Sequence, residues 1–74
     1  MSVAYRVTAK PPDGECFIME LFEARSDADA YYNELQEEGD GNILSSVPYR
    51  SIVITFEEFL GGQWLMTNRK LVVN

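Results

Sequence analysis

Cys16 is the residue of this chain whose type is best suited to covalent chemistry. It is the only cysteine, and the chain contains no histidine. A catalytic thiol needs a neighbouring base or an electropositive setting to become a thiolate. The acidic residues near it in sequence, Asp13, Glu15 and Glu20, oppose that ionisation. We therefore interpret Cys16 as a small buried hydrophobic residue and not as a nucleophile.

The serine and glycine patterns do not indicate an active site either. Ser45-Ser46 lacks the Gly-x-Ser-x-Gly pattern of a nucleophile elbow, and no histidine is present to act as the base. Gly39-Asp40-Gly41 follows a predicted helix instead of preceding one, which is the wrong end of the helix dipole for an anion. The sequence therefore predicts a protein that is not an enzyme and takes no cofactor.

Carboxylates are the one abundant reactive group. Glu57 and Glu58 are adjacent on a predicted strand, so they should point to opposite faces of the sheet. Glu34 and Glu38 share a helix face at a spacing of four residues. No segment matches the calcium-loop pattern, and one thiol without histidine cannot complete a zinc site. We predict no metal site, and two interpretations of the acids stay open: a solvated surface or a partner-binding surface.

The acids are concentrated in one stretch of the chain. Residues 13–40 contain ten acidic residues and one basic residue, a net charge of −9, whereas the rest of the chain carries +3. The whole chain has a net charge of −6. Direct binding to a phosphate backbone normally needs a basic stripe, so it is disfavoured. A protein partner with a basic surface is favoured instead.

The first third of the chain predicts a β-hairpin. Residues 3–10 alternate, with Val3, Tyr5, Val7 and Ala9 on one face, and residues 11–14 form a Pro-Pro-Asp-Gly turn. Residues 15–23 are apolar on both faces, which is typical of a central strand covered on both sides. We expect that a second subunit covers the outer face. We also expect Glu20 to be covered and to pair with Arg6 or Arg69.

The middle of the chain predicts one helix over residues 27–38. Ser26 is the expected N-cap and Gly39 the expected C-terminal cap. Four apolar residues follow the i, i+3, i+4, i+7 spacing of one helix face and form an apolar stripe: Ala28, Tyr31, Tyr32 and Leu35. One tyrosine of the adjacent pair should lie at the edge of the core, because the two cannot both point into it.

The last third predicts a second hairpin. Residues 42–47 form a candidate short strand, and residues 50–60 form a strand with Ile52, Ile54 and Phe56 on one face. Gly61-Gly62 is a hairpin turn, and a bulge is expected near Glu57-Glu58. The chain is thus predicted as a single small α+β domain spanning residues 1–74. It has two layers, an antiparallel sheet of four to five strands with one helix packed on one face, in the order β-β-α-(β)-β-β.

These features favour a non-catalytic acidic protein-protein interaction module that occupies a basic, nucleic-acid-binding surface of a partner protein. In size and charge alone the chain resembles small inhibitors of phages and mobile elements. The alternative is a structural or accessory homodimer, and a small-ligand binder or enzyme ranks last because so short a chain leaves little room for a pocket. The predicted partner-binding residues are acids near the helix and two aromatics near turns: Asp27, Asp29, Glu34, Glu37, Glu38, Asp40, Tyr49 and Trp64.

The expected location is the cytoplasm. No apolar run approaches the roughly 20 residues that span a bilayer, so no membrane partner is predicted. The first residues lack the basic and then apolar regions of a signal peptide. A lone cysteine also fits a reducing compartment.

Overall fold

The computed structural model describes residues 4–36 and 48–73. These residues form five elements: β1 (Tyr5–Lys10), β2 (Ile18–Phe22), α1 (Arg25–Leu35), β3 (Ser51–Leu60) and β4 (Gln63–Val73). The strands make one antiparallel sheet in the order β2-β1-β3-β4, and α1 packs on one face of it. The predicted two-layer α+β fold is confirmed. The candidate strand over residues 42–47 lies outside the described residues.

The core lies between α1 and the two central strands. Alternate residues of β1 and β3 point towards the helix, and Ile52, Ile54 and Val7 are completely buried. Tyr32 of α1 meets Phe56 edge to face, with 5.7 Å between ring centroids. Each fully buried aliphatic side chain of this size contributes about 1.5–3 kcal/mol of transfer free energy. The predicted inner faces of both strands are confirmed except at Val3, which lies outside the described residues, and the apolar stripe of the helix is confirmed as well.

The hairpin of β3 and β4 contains both predicted irregularities. Gly61 and Gly62 have φ of 59° and 82°, a left-handed conformation that glycine adopts without steric cost. The register shifts between Phe56 and Glu57, so that Thr67 of β4 is the extra residue of a β-bulge. Its hydroxyl donates a hydrogen bond to the carbonyl of Phe56 at 3.2 Å.

The prediction of a central, doubly covered second strand was wrong. β2 is an edge strand, and Met19, Glu20 and Leu21 are exposed. Glu20 pairs with neither Arg6 nor Arg69, because it lies on the face of the sheet that α1 covers whereas both arginines lie on the opposite face. Cys16 is exposed instead of buried, since it lies in the loop before β2. The apolar residues on both sides of β2 reflect a sheet with one uncovered face.

The helix begins two residues earlier than predicted. Its N-cap is Ala24, which has no side chain that could cap the helix by a hydrogen bond, and Ser26 lies inside the first turn. Arg25 is the first residue of the helix, and its Nε lies 3.7 Å from Oδ2 of Asp29, one turn further along. At the other end, the side chain of Gln36 donates to the carbonyl of Tyr32 at 3.0 Å. Within residues 4–36 and 48–73, no helix has the length and apolarity needed to cross a membrane.

Truncation of Ile54 tests this core. Ile54 is fully buried on central strand β3, so Ile54→Ala should lower the free energy of unfolding by about 2–5 kcal/mol and Ile54→Val by about 0.5–1.5 kcal/mol. Val73→Ala is the control: the residue is 64% exposed, and the loss should stay below about 0.5 kcal/mol. Urea unfolding followed by circular dichroism measures all three. Equal losses at residues 54 and 73 would contradict the assigned core.

Candidate interaction surfaces

The helix side, which we define as α1 together with the sheet face beneath it, is acidic. Glu20 and Glu58 lie directly opposite Val7 and Tyr5 of β1, which point to the core, so both carboxylates are on this side. The helix contributes three more carboxylates: Asp27, Asp29 and Glu34. Two cations, Arg25 and Lys70, lie on the same side. The two layers thus bring together acids that are far apart in sequence.

Tyr31 lies among these carboxylates. Its ring is half-buried between α1 and β2, and its centroid is 5.5 Å from that of Phe22. Burial raises the pKa of its hydroxyl above the usual 10.0, and the charges of Glu20 and Glu34 raise it further. A tyrosine with a packed ring and a polar tip near the surface is a common interface anchor. The register of β2 could not be predicted from the sequence, so the proximity of Tyr31 to Glu20 was missed.

The open face, which we define as the sheet face turned away from α1, has a polar centre. Arg6 Nε donates to Glu57 Oε1 at 2.5 Å, and the Arg6 guanidinium lies 4.4 Å from the ring centroid of Trp64. Phe59 packs edge to face on Trp64 at 5.1 Å. The hydroxyls of two threonines, Thr8 and Thr55, hydrogen-bond to each other in the middle of this face. The face therefore has a fixed polar centre beside an aromatic pair.

Two adjoining depressions lie on the open face. Their volumes are about 240 and 190 Å³, and both are lined by Lys10, Thr55 and Met66. Arg69 borders the larger one, and the smaller one reaches Cys16. Within the described part of the chain, neither Lys10 nor Arg69 belongs to an ion pair. The strand residues of the open face thus carry an excess of positive charge, in contrast to those of the helix side.

The structure divides the predicted partner-binding residues among several places. Asp27, Asp29 and Glu34 all lie on α1, where Asp27 and Glu34 share one flank and Asp29, two residues after Asp27, lies on the opposite flank. Trp64 lies on the open face, on the other side of the sheet. Tyr49 is half-buried at one end of the molecule, with its ring centroid 5.4 Å from that of Phe17. The remaining three, Glu37, Glu38 and Asp40, are outside the described residues.

The described side chains bring no metal-ligand cluster together. In residues 4–36 and 48–73, no group of three or more Cys, Asp or Glu residues has a geometry that could hold a metal ion. Comparison with protein-family models, with curated proteins and with solved structures finds no match to this chain. Function must therefore be inferred from the two oppositely charged surfaces.

Removal of two carboxylates tests the arrangement around Tyr31. The double substitution Glu20→Gln with Glu34→Gln should lower the pKa of Tyr31, because both charges raise it. The pKa should remain above 10.0, because burial is the larger cause. Carbon-13 NMR of labelled tyrosine follows the titration. Glu58→Gln is the control and should leave this pKa unchanged; an equal effect of the control would contradict the geometry.

The two helix tyrosines also predict how stability depends on pH. Burial raises the pKa of Tyr32 as well as that of Tyr31. A folded-state pKa above the unfolded value contributes stability below that unfolded value, and the contribution is lost as pH rises through the folded pKa. The free energy of unfolding should therefore fall above about pH 10. Tyr31→Phe should make this decline shallower in urea titrations at several pH values, and an unchanged decline would count against the shift.

Proposed function

We propose that this protein is a non-catalytic interaction module that docks its helix side on a basic surface of a partner protein. The observation that carries the proposal is the segregation of charge. The helix side gathers five described carboxylates: Glu20, Asp27, Asp29, Glu34 and Glu58. Arg25 and Lys70 offset them in part. A surface with an excess of negative charge steers a partner of opposite charge and can raise the association rate by about 10–10³-fold.

The carboxylates of the helix side are available to a partner. Among the described residues, the one ion pair on this side joins Arg25 and Asp29, and both side chains are at least half exposed. A helix-surface pair of this spacing contributes only about 0.3–0.5 kcal/mol. A partner can therefore replace the pair at little cost. Asp27 and Glu34, which are exposed, have no such partner in the described part of the chain.

Tyr31 supports the proposal as an anchor. Affinity in protein interfaces comes mainly from a few well-packed aromatic or arginine side chains, while charges set the rate and orientation of encounter. Tyr31 is held by Phe22 and has Glu20 and Glu34 nearby. An arginine or lysine of a partner that reaches these carboxylates would also contact the tyrosine ring.

The most specific form of the proposal is inhibition of a nucleic-acid-binding protein. Asp27 and Glu34 are seven residues apart and lie on the same line along α1, a separation of about 10 Å at 1.5 Å per residue. A partner whose basic side chains line a nucleic-acid-binding groove is matched by these two carboxylates in the sign of their charge.

We also propose a cytoplasmic location. The support is Cys16, which is exposed. An exposed free thiol is prone to oxidation and persists best where glutathione and thioredoxin keep thiols reduced.

Charge reversal on the helix tests the docking proposal. Asp27→Lys with Glu34→Lys should reduce capture of the partner by at least about tenfold, because two steering charges change sign. Asp13→Lys with Glu15→Lys is the matched control, since it makes the same change in net charge at exposed loop positions. The immobilised proteins are incubated with native cell lysate, and bound proteins are quantified by mass spectrometry at two salt concentrations.

The control should retain the partner, and higher salt should release it. Circular dichroism should show that both double variants keep the fold. A partner that binds the helix variant as well as it binds the native protein would refute the role of the helix side.

A further inference from the structure

Five large apolar side chains of the open face are exposed to water. Met19 and Leu21 lie on it at the β2 edge, and Met66, Leu71 and Val73 lie on it along β4. Each of these five side chains is more than half exposed. Met19 and Met66 border the same depression, and Leu71 and Val73 are alternate residues of β4. Exposed apolar residues that are grouped in this way are common at interaction sites.

Unused positive charge lies beside this apolar surface. Arg6 is already engaged by Glu57 and by the ring of Trp64. Lys10 and Arg69 border the larger depression, and neither forms an ion pair within residues 4–36 and 48–73. A protein of net charge −6 thus presents free cations on this face. Charge complementarity requires an anionic occupant.

The shape of the depressions indicates what that occupant is. One has a volume of about 240 Å³ and the other of about 190 Å³. Their shared lining by Lys10, Thr55 and Met66 makes them one trough across the central strands and β4. An extended peptide suits this shape, because alternate side chains on the same face are about 6.6 Å apart and can enter successive depressions.

A second copy of this chain fits the trough poorly. Packing two open faces together would bring Lys10 and Arg69 of both copies into one interface, while each Glu57 is already bonded to Arg6. Burying unpaired charges costs several kcal/mol per ion. A nucleic acid would supply negative charge, but its phosphate backbone offers no apolar side chains to cover the exposed Met66 and Leu71. Carboxylates alternating with large apolar side chains satisfy both the cations and the methionines.

We propose that the open face is a docking trough for an extended acidic segment of a partner protein, in which Asp or Glu alternates with large apolar residues. The carboxylates pair with Lys10 and Arg69, and the apolar side chains pack on Met66 and Leu71. Methionine is well suited to this role, because its flexible thioether adapts to different side chains. This surface is separate from the helix side, so either proposal can fail without the other.

The probe for the test is a fluorescein-labelled peptide of alternating leucine and glutamate, about eight residues long. At roughly 3.3 Å per residue it extends about 26 Å, close to the 24 Å width of the molecule. Fluorescence anisotropy measures its binding to the full chain. An all-glutamate peptide and an alternating leucine–lysine peptide of the same length are the control probes, and both should bind at least about tenfold more weakly.

The chain offers a closely matched pair of variants. Arg69 and Lys70 are adjacent on β4, but Arg69 lies opposite Thr55 on the open face and Lys70 opposite Ile54 on the helix side. Arg69→Glu should weaken binding of the leucine–glutamate peptide at least about tenfold, whereas Lys70→Glu should change it less than about threefold. Met66→Ser should also weaken it, because the apolar contact is lost. Circular dichroism confirms that the variants fold.

Several results would overturn the proposal. One is the absence of peptide binding to the native chain, and another is an equal loss for Arg69→Glu and Lys70→Glu. A dimer of the native chain in light scattering that Met66→Ser dissociates would assign the face to a second copy. Tighter binding of a single-stranded oligonucleotide than of the peptide would assign it to nucleic acid.

Discussion

A single helix of eleven residues can cover only one face of this sheet, and the rest of the structure depends on that limit. At 1.5 Å per residue, α1 is about 16 Å long, whereas β4, also of eleven residues, extends over about 35 Å. The helix packs on β1, β2 and β3, and the described residues place nothing over the opposite face. Because side chains alternate across a strand, every second residue of the sheet then lies on the uncovered face. Thr8, Val53 and Thr55 in the middle of this face are buried, and around them lie one ion pair and a row of half-exposed methionine and aliphatic side chains.

The same alternation separates the charges. Glu57 and Glu58 are neighbours, yet one bonds Arg6 on the open face and the other joins the acids of the helix side. Arg69 and Lys70 are divided in the same way. A chain with a net charge of −6 thereby gains one acidic and one basic surface on opposite sides of a single sheet. Each surface also carries apolar or aromatic groups, Tyr31 on one and Met66 on the other, which is the combination that protein interfaces use.

Local patterns in the sequence were sufficient for the element types and for much of the core. The alternation around Val7 and Ile54, the stripe that includes Tyr32, and the glycine turn each depend on neighbouring residues, and all are confirmed. The position of β2 depends on which strands pair, and a strand that is apolar on both sides is compatible with a central place or with an edge beside an uncovered face. The prediction that Glu20 and Cys16 are buried was therefore wrong.

The exact position of the bulge could not be predicted from the sequence either, and this position determines the charge of the open face. The two-residue turn pairs Phe59 with Trp64, so without the extra Thr67 the next positions would put Arg69 opposite Ile54, on the helix side. With the bulge, Arg69 lies opposite Thr55 beside Lys10 instead. A shift of one residue thus moves a cation from one surface to the other. The sequence indicated a bulge nearby but not the residue, so the basic open face was not predicted.

The central claim is that this protein has two surfaces of opposite charge on either side of one sheet. Relaxation of protein protons by small cationic and anionic nitroxides in solution measures the local electrostatic potential directly, since each probe accumulates near charge of opposite sign. We predict that the cationic probe relaxes the protons of Glu20, Asp27 and Glu34 more strongly than the anionic probe does, and that the order reverses at Lys10, Met66 and Arg69. If the ratio of the relaxation caused by the cationic probe to that caused by the anionic probe were the same on both sides of the sheet, the two surfaces would not differ in charge.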